Sequence, residues 1–342
     1  MKAVRLHRYE QSPLIEEVNE PKVSGPFDVI VRIGGAGLCR TDLHIIEGQW
    51  AAKSNVQLPY ILGHENAGWV EAIGSAVSNV AVGDTVIVHP LVTCGFCRAC
   101  RAGDDMHCAN QSFPGISVDG GMAQLLKTTA RAVVKLDTGL APKDIAALAD
   151  AGLTAYHAVK KAAAQLYPGT KAVVIGAGGL GHIGIQCLKA LSSAEIIVVD
   201  RSQAALDLTR SWGADHQVLV DGKQASTVKD ITNGKGAEAI IDFVGEGGAI
   251  EDGIGMLQQG GSYFVIGYGG KLSIPTIDII STEINFIGNL VGTYNDLVEL
   301  MELTAQGKVG LHTAMYPLDA ALDAIHDLDA GKIRGRGILV PA

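Results

Sequence analysis

From Lys171 to about Val244 the chain alternates short β-branched apolar segments with helical ones: KAVVIG, GLGHIGIQCLKAL, AEIIVVD, QAALDLTRSWGA and AEAIIDFVG. That alternation constrains the fold more than any other feature, because it reads as successive βαβ units around a parallel sheet. Ala172 to Ile175 and Ile196 to Val199 are unbroken apolar runs. A sheet with one wet face would alternate apolar and polar residues, so these strands are expected to be covered on both faces. Further strands are expected at Tyr263 to Ile266 and Ile284 to Ile287.

Gly176, Gly178 and Gly181 form G-x-G-x-x-G where the first of these strands gives way to a helix. In that position the first glycine permits a tight turn and the second lets backbone approach a pyrophosphate. The third lets helix and strand pack closely, and the helix N-terminus offers unpaired N–H groups and a positive dipole. A lone motif of this kind is as often an ordinary turn; the strand before it and the helix after it argue otherwise. Asp200 closes the second strand, within the roughly 20-residue spacing expected of an acid that accepts hydrogen bonds from the adenosine ribose hydroxyls. A carboxylate there repels a 2′-phosphate, which favours NAD, whereas the neighbouring Arg201 could pair with one or stack on adenine. The segment is expected to be a Rossmann dinucleotide-binding domain.

The first 150 residues read differently. DVIVRIGGAG, NAGWVEAIG, DTVIVHP and RAVVKL are short extended runs punctuated by Gly, Pro and Asp, as in a mostly β domain. After about Leu290 come two helical patterns, DLVELMELTAQGK and LDAALDAIHDLDAGK, and a last strand, GILVPA, expected to return to the first domain. The expected division is therefore 1–150 with 290–342, and 151–289. At 342 residues each part can bury its own core.

A net charge of -9 offers no basic footprint for nucleic acid or an anionic membrane face. MKAVRLHRYE has no apolar core of a signal sequence, and no apolar run reaches membrane-spanning length. A cytoplasmic protein acting on small molecules is expected. Four of the six cysteines, Cys94, Cys97, Cys100 and Cys108, stand in C-x2-C-x2-C-x7-C. One irregular loop at that spacing can wrap four thiolates around a tetrahedral ion and leave no open position, which makes such a site structural. Two disulfides, which a cytoplasmic setting disfavours, or an iron–sulfur cluster are the alternatives.

GHENAGWVEAIGSAV, Gly63 to Val77, resembles the signature G-H-E-x2-G-x5-G-x2-V of zinc-dependent medium-chain alcohol dehydrogenases, matching at Gly63, His64, Glu65, Gly68, Gly74 and Val77. CRTDLHIIEG from Cys39, the four-cysteine segment, GLTAYHA after Asp150, and GAGGLG follow in that family's order. The resemblance spans essentially the whole chain. It implies a GroES-like catalytic domain beside the Rossmann domain, two zinc ions per chain and NAD as cofactor. It implies reversible oxidation of an alcohol to an aldehyde or ketone, and a hydride-transfer enzyme would not use an iron–sulfur cluster.

By that resemblance Cys39, His64 and Asp150 hold a catalytic zinc, with Glu65 beside the histidine as a transient ligand. Many members carry cysteine where this chain has Asp150; a subset of bacterial secondary-alcohol dehydrogenases carries aspartate. Thr41 and His44 match the family's proton relay. Arg40, Thr154, Gly179, Leu180, Arg201 and Arg336 join Gly176, Gly178, Gly181 and Asp200 in the cofactor set, with Ile266 and Gly267 bordering the nicotinamide. Trp50, Ile116 and Leu290 are expected to wall an apolar substrate channel, against the plainer reading of each as core packing. A polyol dehydrogenase on the same scaffold, or a catalytically silent NADH-binding protein, is the alternative function. The resemblance further implies a homotetramer, with a dimer as the alternative.

Overall fold

The computed structural model describes residues 1–136 and 139–342. Two compact units emerge. The first comprises Met1–Leu153, Thr293–Ala305 and Leu311–Ala342; the second comprises Thr154–Gly292 and Gln306–Gly310. Among the described residues no helix is long and apolar enough to cross a membrane.

The first unit is organised by the strand Asp28–Leu38, buried along nearly all its length because it is paired on both edges and covered on both faces. Around it runs a sheet ordered Thr313–Pro317, Arg336–Val340, Asp28–Leu38, Glu65–Ile73, Thr85–Val88, Val133–Lys135, with Leu125–Thr129 also pairing to the central strand. The C-terminal strand is thus antiparallel to Asp28–Leu38, with Gly337 opposite Leu38. A small sheet of Leu14–Glu17, Lys2–Leu6 and Tyr60–Ile61 flanks it. Val29, Val31, Ile33, Val70, Val86 and Leu126 belong to the apolar core between these layers.

The second unit is one six-stranded sheet in which every pairing is parallel. Its order is His216–Leu219, Glu195–Asp200, Lys171–Ile175, Ala237–Asp242, Leu257–Val265, Asn285–Gly288. Counted along the chain this is 3-2-1-4-5-6, the doubly wound Rossmann order, whose direction reverses beside Lys171–Ile175. The continuous apolar runs are indeed strands buried on both faces. The fifth strand begins at Leu257, earlier than periodicity suggests, because Leu257 pairs with Ala237 before a register shift admits the polar, glycine-bearing Gln258–Gly261 stretch.

The units divide after Leu153 rather than Asp150, and the first resumes at Thr293 rather than Leu290. Gln306–Gly310 also differs from the expected division by grouping with the second unit. Gln186 accounts for that: its amide donates to Gly310 O at 2.9 Å while its carbonyl accepts from Gly310 N–H at 3.0 Å.

Candidate functional site

Cys39 leaves the central strand of the first unit and starts the helix Arg40–Ile46. Its backbone N–H donates to Asp42 Oδ2 at 2.8 Å, so the side chain at the third helical position closes the turn and fixes where the thiol points. Glu65 opens the neighbouring strand Glu65–Ile73, where it pairs with Gly37, and His64 immediately precedes it. A Cβ at Gly37 would come within 2.0 Å of Glu65 Oε2. A glycine in the central strand therefore makes room for a buried carboxylate.

The ligand atoms of Cys39, His64 and Glu65 lie within 4.8 Å of one another, all three residues buried. Asp150, which follows the turn Ala146–Ala149, brings Oδ2 to 3.5 Å from His64 Nε2. The tightest trio thus contains Glu65, with Asp150 adjacent. Both oxygens of Glu65 are engaged, Oε1 accepting from Ala151 N–H at 3.1 Å and Oε2 paired with Arg336. Burial pushes the Glu65 carboxyl up in pKa, and the Arg336 guanidinium pulls the other way. For Arg336 burial opposes the charge, but Glu65 and then Cys39 hold its pKa raised. Arg336, expected at a pyrophosphate, is here buried on Glu65.

His64 is buried, with Asp42 Oδ1 at 3.3 Å from Nδ1. Burial disfavours its charged form, yet the carboxylates of Asp42 and Asp150 outweigh burial and raise its pKa. Nε2 is buried without a hydrogen bond among the described residues. A ring nitrogen left so beside a thiol and a carboxylate is what a divalent cation satisfies, and Cys, His and carboxylate are ligands zinc accepts. The residues therefore fit a zinc ion. Thr41 and His44, both half-buried, stand three positions apart on the helix that Cys39 begins, hence on one face. Arg40, on the same helix, is exposed.

The four-cysteine loop also converges. Sγ atoms of Cys94, Cys97, Cys100 and Cys108 lie within 4.8 Å of one another, and all four are free thiols. Backbone N–H groups of Cys100 and Ala109 lower the Cys97 thiol to about 6, whereas burial pushes Cys100 up to about 11. A metal that binds all four as thiolates would resolve that opposition. Cys100→Ser is expected to reduce bound zinc from two equivalents to one and to lower the melting temperature. Elemental analysis beside thermal unfolding checks this, and two retained equivalents would contradict it.

In the second unit Gly176 ends the strand Lys171–Ile175 and Gly181 starts the helix Gly181–Leu191. Ala177 N–H donates to Asp200 Oδ2 and Ser202 N–H to Oδ1, each at 2.7 Å, so the acid is held at the mouth of the glycine loop. Gly178 is exposed; Gly179 and Leu180 are half-buried beside it. Arg201 is exposed, near Gly247. Ile266 and Gly267 follow the fifth strand and donate their N–H groups to Asp242 O at 3.1 and 2.9 Å. Thr154 is half-buried. Of the expected channel residues, Ile116 lies in the apolar core of the first unit and Trp50 packs half-buried against that core, while Leu290 is exposed on the second unit.

Two residues escaped the sequence reading. Asp42 orients both Cys39 and His64; its signal was the Cys-x-x-Asp spacing of a helix start. Asp242 is fully buried, taking Val244 and Gly245 N–H groups on Oδ1 and the Tyr263 hydroxyl on Oδ2 at 2.7 Å. It shapes the loop against which Gly176 and Gly184 pack, through Val244 and Phe243. Its signal was an acid closing an apolar strand, as at Asp200.

Residues 25–138 match the model of the alcohol dehydrogenase GroES-like domain, and residues 179–306 that of zinc-binding dehydrogenases. An NAD-dependent alcohol dehydrogenase of Sulfolobus acidocaldarius is 36% identical, covering 99% of each chain. D-arabinose 1-dehydrogenase (NADP(+)) of Saccharolobus solfataricus is also 36% identical, over 99% of this chain and 97% of its own. The crystal structure of the alcohol dehydrogenase from the archaeon Aeropyrum pernix superposes with a TM-score of 0.96, at 45% identity and full coverage of both chains.

Proposed function

The chain belongs to the zinc-binding alcohol dehydrogenase family, and from that membership and its two sites we infer an NAD-dependent alcohol dehydrogenase that interconverts an alcohol with its aldehyde or ketone by hydride transfer. The observation that carries this reading is the convergence of Cys39, His64 and two carboxylates, Glu65 and Asp150, around a buried ring nitrogen left without a hydrogen-bond partner among the described residues. A catalytically silent NADH-binding protein would have no use for that set.

Cys39, His64 and Asp150, with Glu65 alongside, would hold a zinc ion, which would supply Lewis acidity toward the substrate oxygen. Thr41 and His44 take up the hydroxyl proton on oxidation and return it on reduction; their half-buried, same-face placement on one helix suits a relay toward solvent. Arg336 neutralises Glu65 and holds its carboxylate in place. Asp42 fixes His64 from behind. In the second unit the backbone-anchored Asp200 favours NAD, since its carboxylate accepts from ribose hydroxyls and repels a 2′-phosphate. Gly176, Gly178, Gly179, Leu180 and Gly181 form the pyrophosphate loop, with Thr154, Arg201, Ile266 and Gly267 of the same unit contributing further contacts.

A second reading, a polyol or sugar dehydrogenase, draws support from the D-arabinose 1-dehydrogenase relative, whose name specifies NADP. The test is a panel of simple secondary, benzylic and polyhydroxy alcohols with both cofactors. Turnover with NAD on the monohydric alcohols is expected; turnover confined to polyols would transfer the assignment, and NADP working equally well would show that Arg201 outweighs Asp200. The protein is also read as cytoplasmic, consistent with thiols kept free for metal, and as a homotetramer before a dimer. Ile277 and Ile280, 64% and 70% exposed on the helix Thr276–Thr282 that precedes the edge strand Asn285–Gly288, offer apolar surface that a second copy would cover.

A further inference from the structure

The peptide between Gly178 and Gly179 is flanked by two residues without Cβ, so it can rotate as a unit at little steric cost. In a trans peptide the C=O and the following N–H point to opposite sides. The direction of the Gly178 carbonyl therefore decides where Gly179 N–H points, and a pyrophosphate loop works only if that N–H faces out of the helix.

Gly178 O accepts two hydrogen bonds from one residue: His182 backbone N–H at 3.1 Å and His182 Nδ1 at 3.0 Å. Because the acceptor is a carbonyl, the ring nitrogen carries the hydrogen. The backbone bond is the ordinary first bond of the helix. The side-chain bond is particular to histidine at this position, directly after the third motif glycine. The ring is 1% exposed and packs at 5.6 Å from the Trp212 ring, so it has little freedom to swing away.

We propose that His182 is a positioning residue for the dinucleotide: its ring N–H locks the Gly178 carbonyl into the helix and so presents Gly179 N–H to the pyrophosphate. The inference rests on the reading of this loop as the cofactor site. His182→Leu keeps the bulk and deletes the donor; His182→Asn returns an amide N–H close to where Nδ1 stood; His182→Gln carries its amide too far out. NADH dissociation constants from fluorescence titration, with KM for NAD and kcat, read the effect. His182→Leu and His182→Gln are expected to bind NADH about tenfold more weakly, as the loss of one buried hydrogen bond implies, with the loss falling on KM rather than kcat. His182→Asn should recover most of it.

His182→Leu binding NADH like the parent overturns the proposal, as does His182→Asn binding no better than His182→Gln. If His182→Leu does not fold, the Asn and Gln variants decide between them. Gly178→Ala serves as the control for the loop itself. NADH binding unchanged in Gly178→Ala removes the loop reading, whereas binding lost there and unchanged in His182→Leu removes only the role of His182.

Discussion

Asp150→Asn is expected to lose the catalytic zinc and about 10³-fold in turnover, since Lewis-acid catalysis contributes several kcal/mol and each 1.36 kcal/mol is tenfold. The four-cysteine metal should remain. The argument turns on which of two carboxylates completes the site. Glu65 belongs to the tightest trio, but its charge is matched by Arg336 and its other oxygen accepts from Ala151 N–H. Asp150 presents Oδ2 to His64 Nε2 at 3.5 Å, on the nitrogen that would bind the ion. Asparagine preserves shape and removes the negative charge, leaving Cys39 as the sole anionic ligand. Glu65→Gln should act differently, retaining zinc but leaving Arg336 buried without its counter-charge, at a cost of about 3–5 kcal/mol in stability. Zinc content, kcat/KM and thermal unfolding of the two variants separate these roles. Two zinc ions with unchanged kinetics in Asp150→Asn would remove it from the ligand set; zinc loss confined to Glu65→Gln would exchange the two.

The parts of this molecule that were legible in the sequence are those that local physics enforces. Short unbroken β-branched apolar runs such as Ala172 to Ile175, closed by glycine, read as strands covered on both faces, and a glycine motif between strand and helix admits few other backbones. The four cysteines converge because their spacing is short. The proposed zinc ligands were different: Cys39, His64 and Asp150 carry no mutual spacing rule, and only a family signature joined them. Arg336 and Glu65 lie still farther apart in sequence, so nothing local announced that the arginine would be held by that carboxylate. The Gln186 contact that draws Gln306–Gly310 to the second unit is another non-local pairing invisible to periodicity. Leu257 was missed as a strand start because the residues after it pair through backbone and lack apolar alternation.

Gly181→Ala and Gly178→Ala are expected to fail in opposite ways, although both alter one motif by one methyl group. A Cβ on Gly181 would stand 1.8 Å from Gly176 O, a backbone atom that cannot swing aside. The helix would have to separate from the turn, so the cost appears without any cofactor: about 3 kcal/mol, toward the upper end for overpacking, or a fall of roughly 10 °C in melting temperature for a domain of this size. NADH binding would be lost along with the loop geometry. At Gly178 a Cβ would meet no atom within 4 Å, and the backbone there is not in the left-handed region. Alanine should therefore fold with an unchanged melting temperature. The added methyl group occupies the space through which backbone approaches the pyrophosphate, so Gly178→Ala is expected to lose NADH affinity alone. Calorimetry without ligand, followed by NADH titration, distinguishes them. A destabilised Gly178→Ala, or a Gly181→Ala as stable as the parent, would mean that the two glycines do not divide the work between packing and cofactor approach.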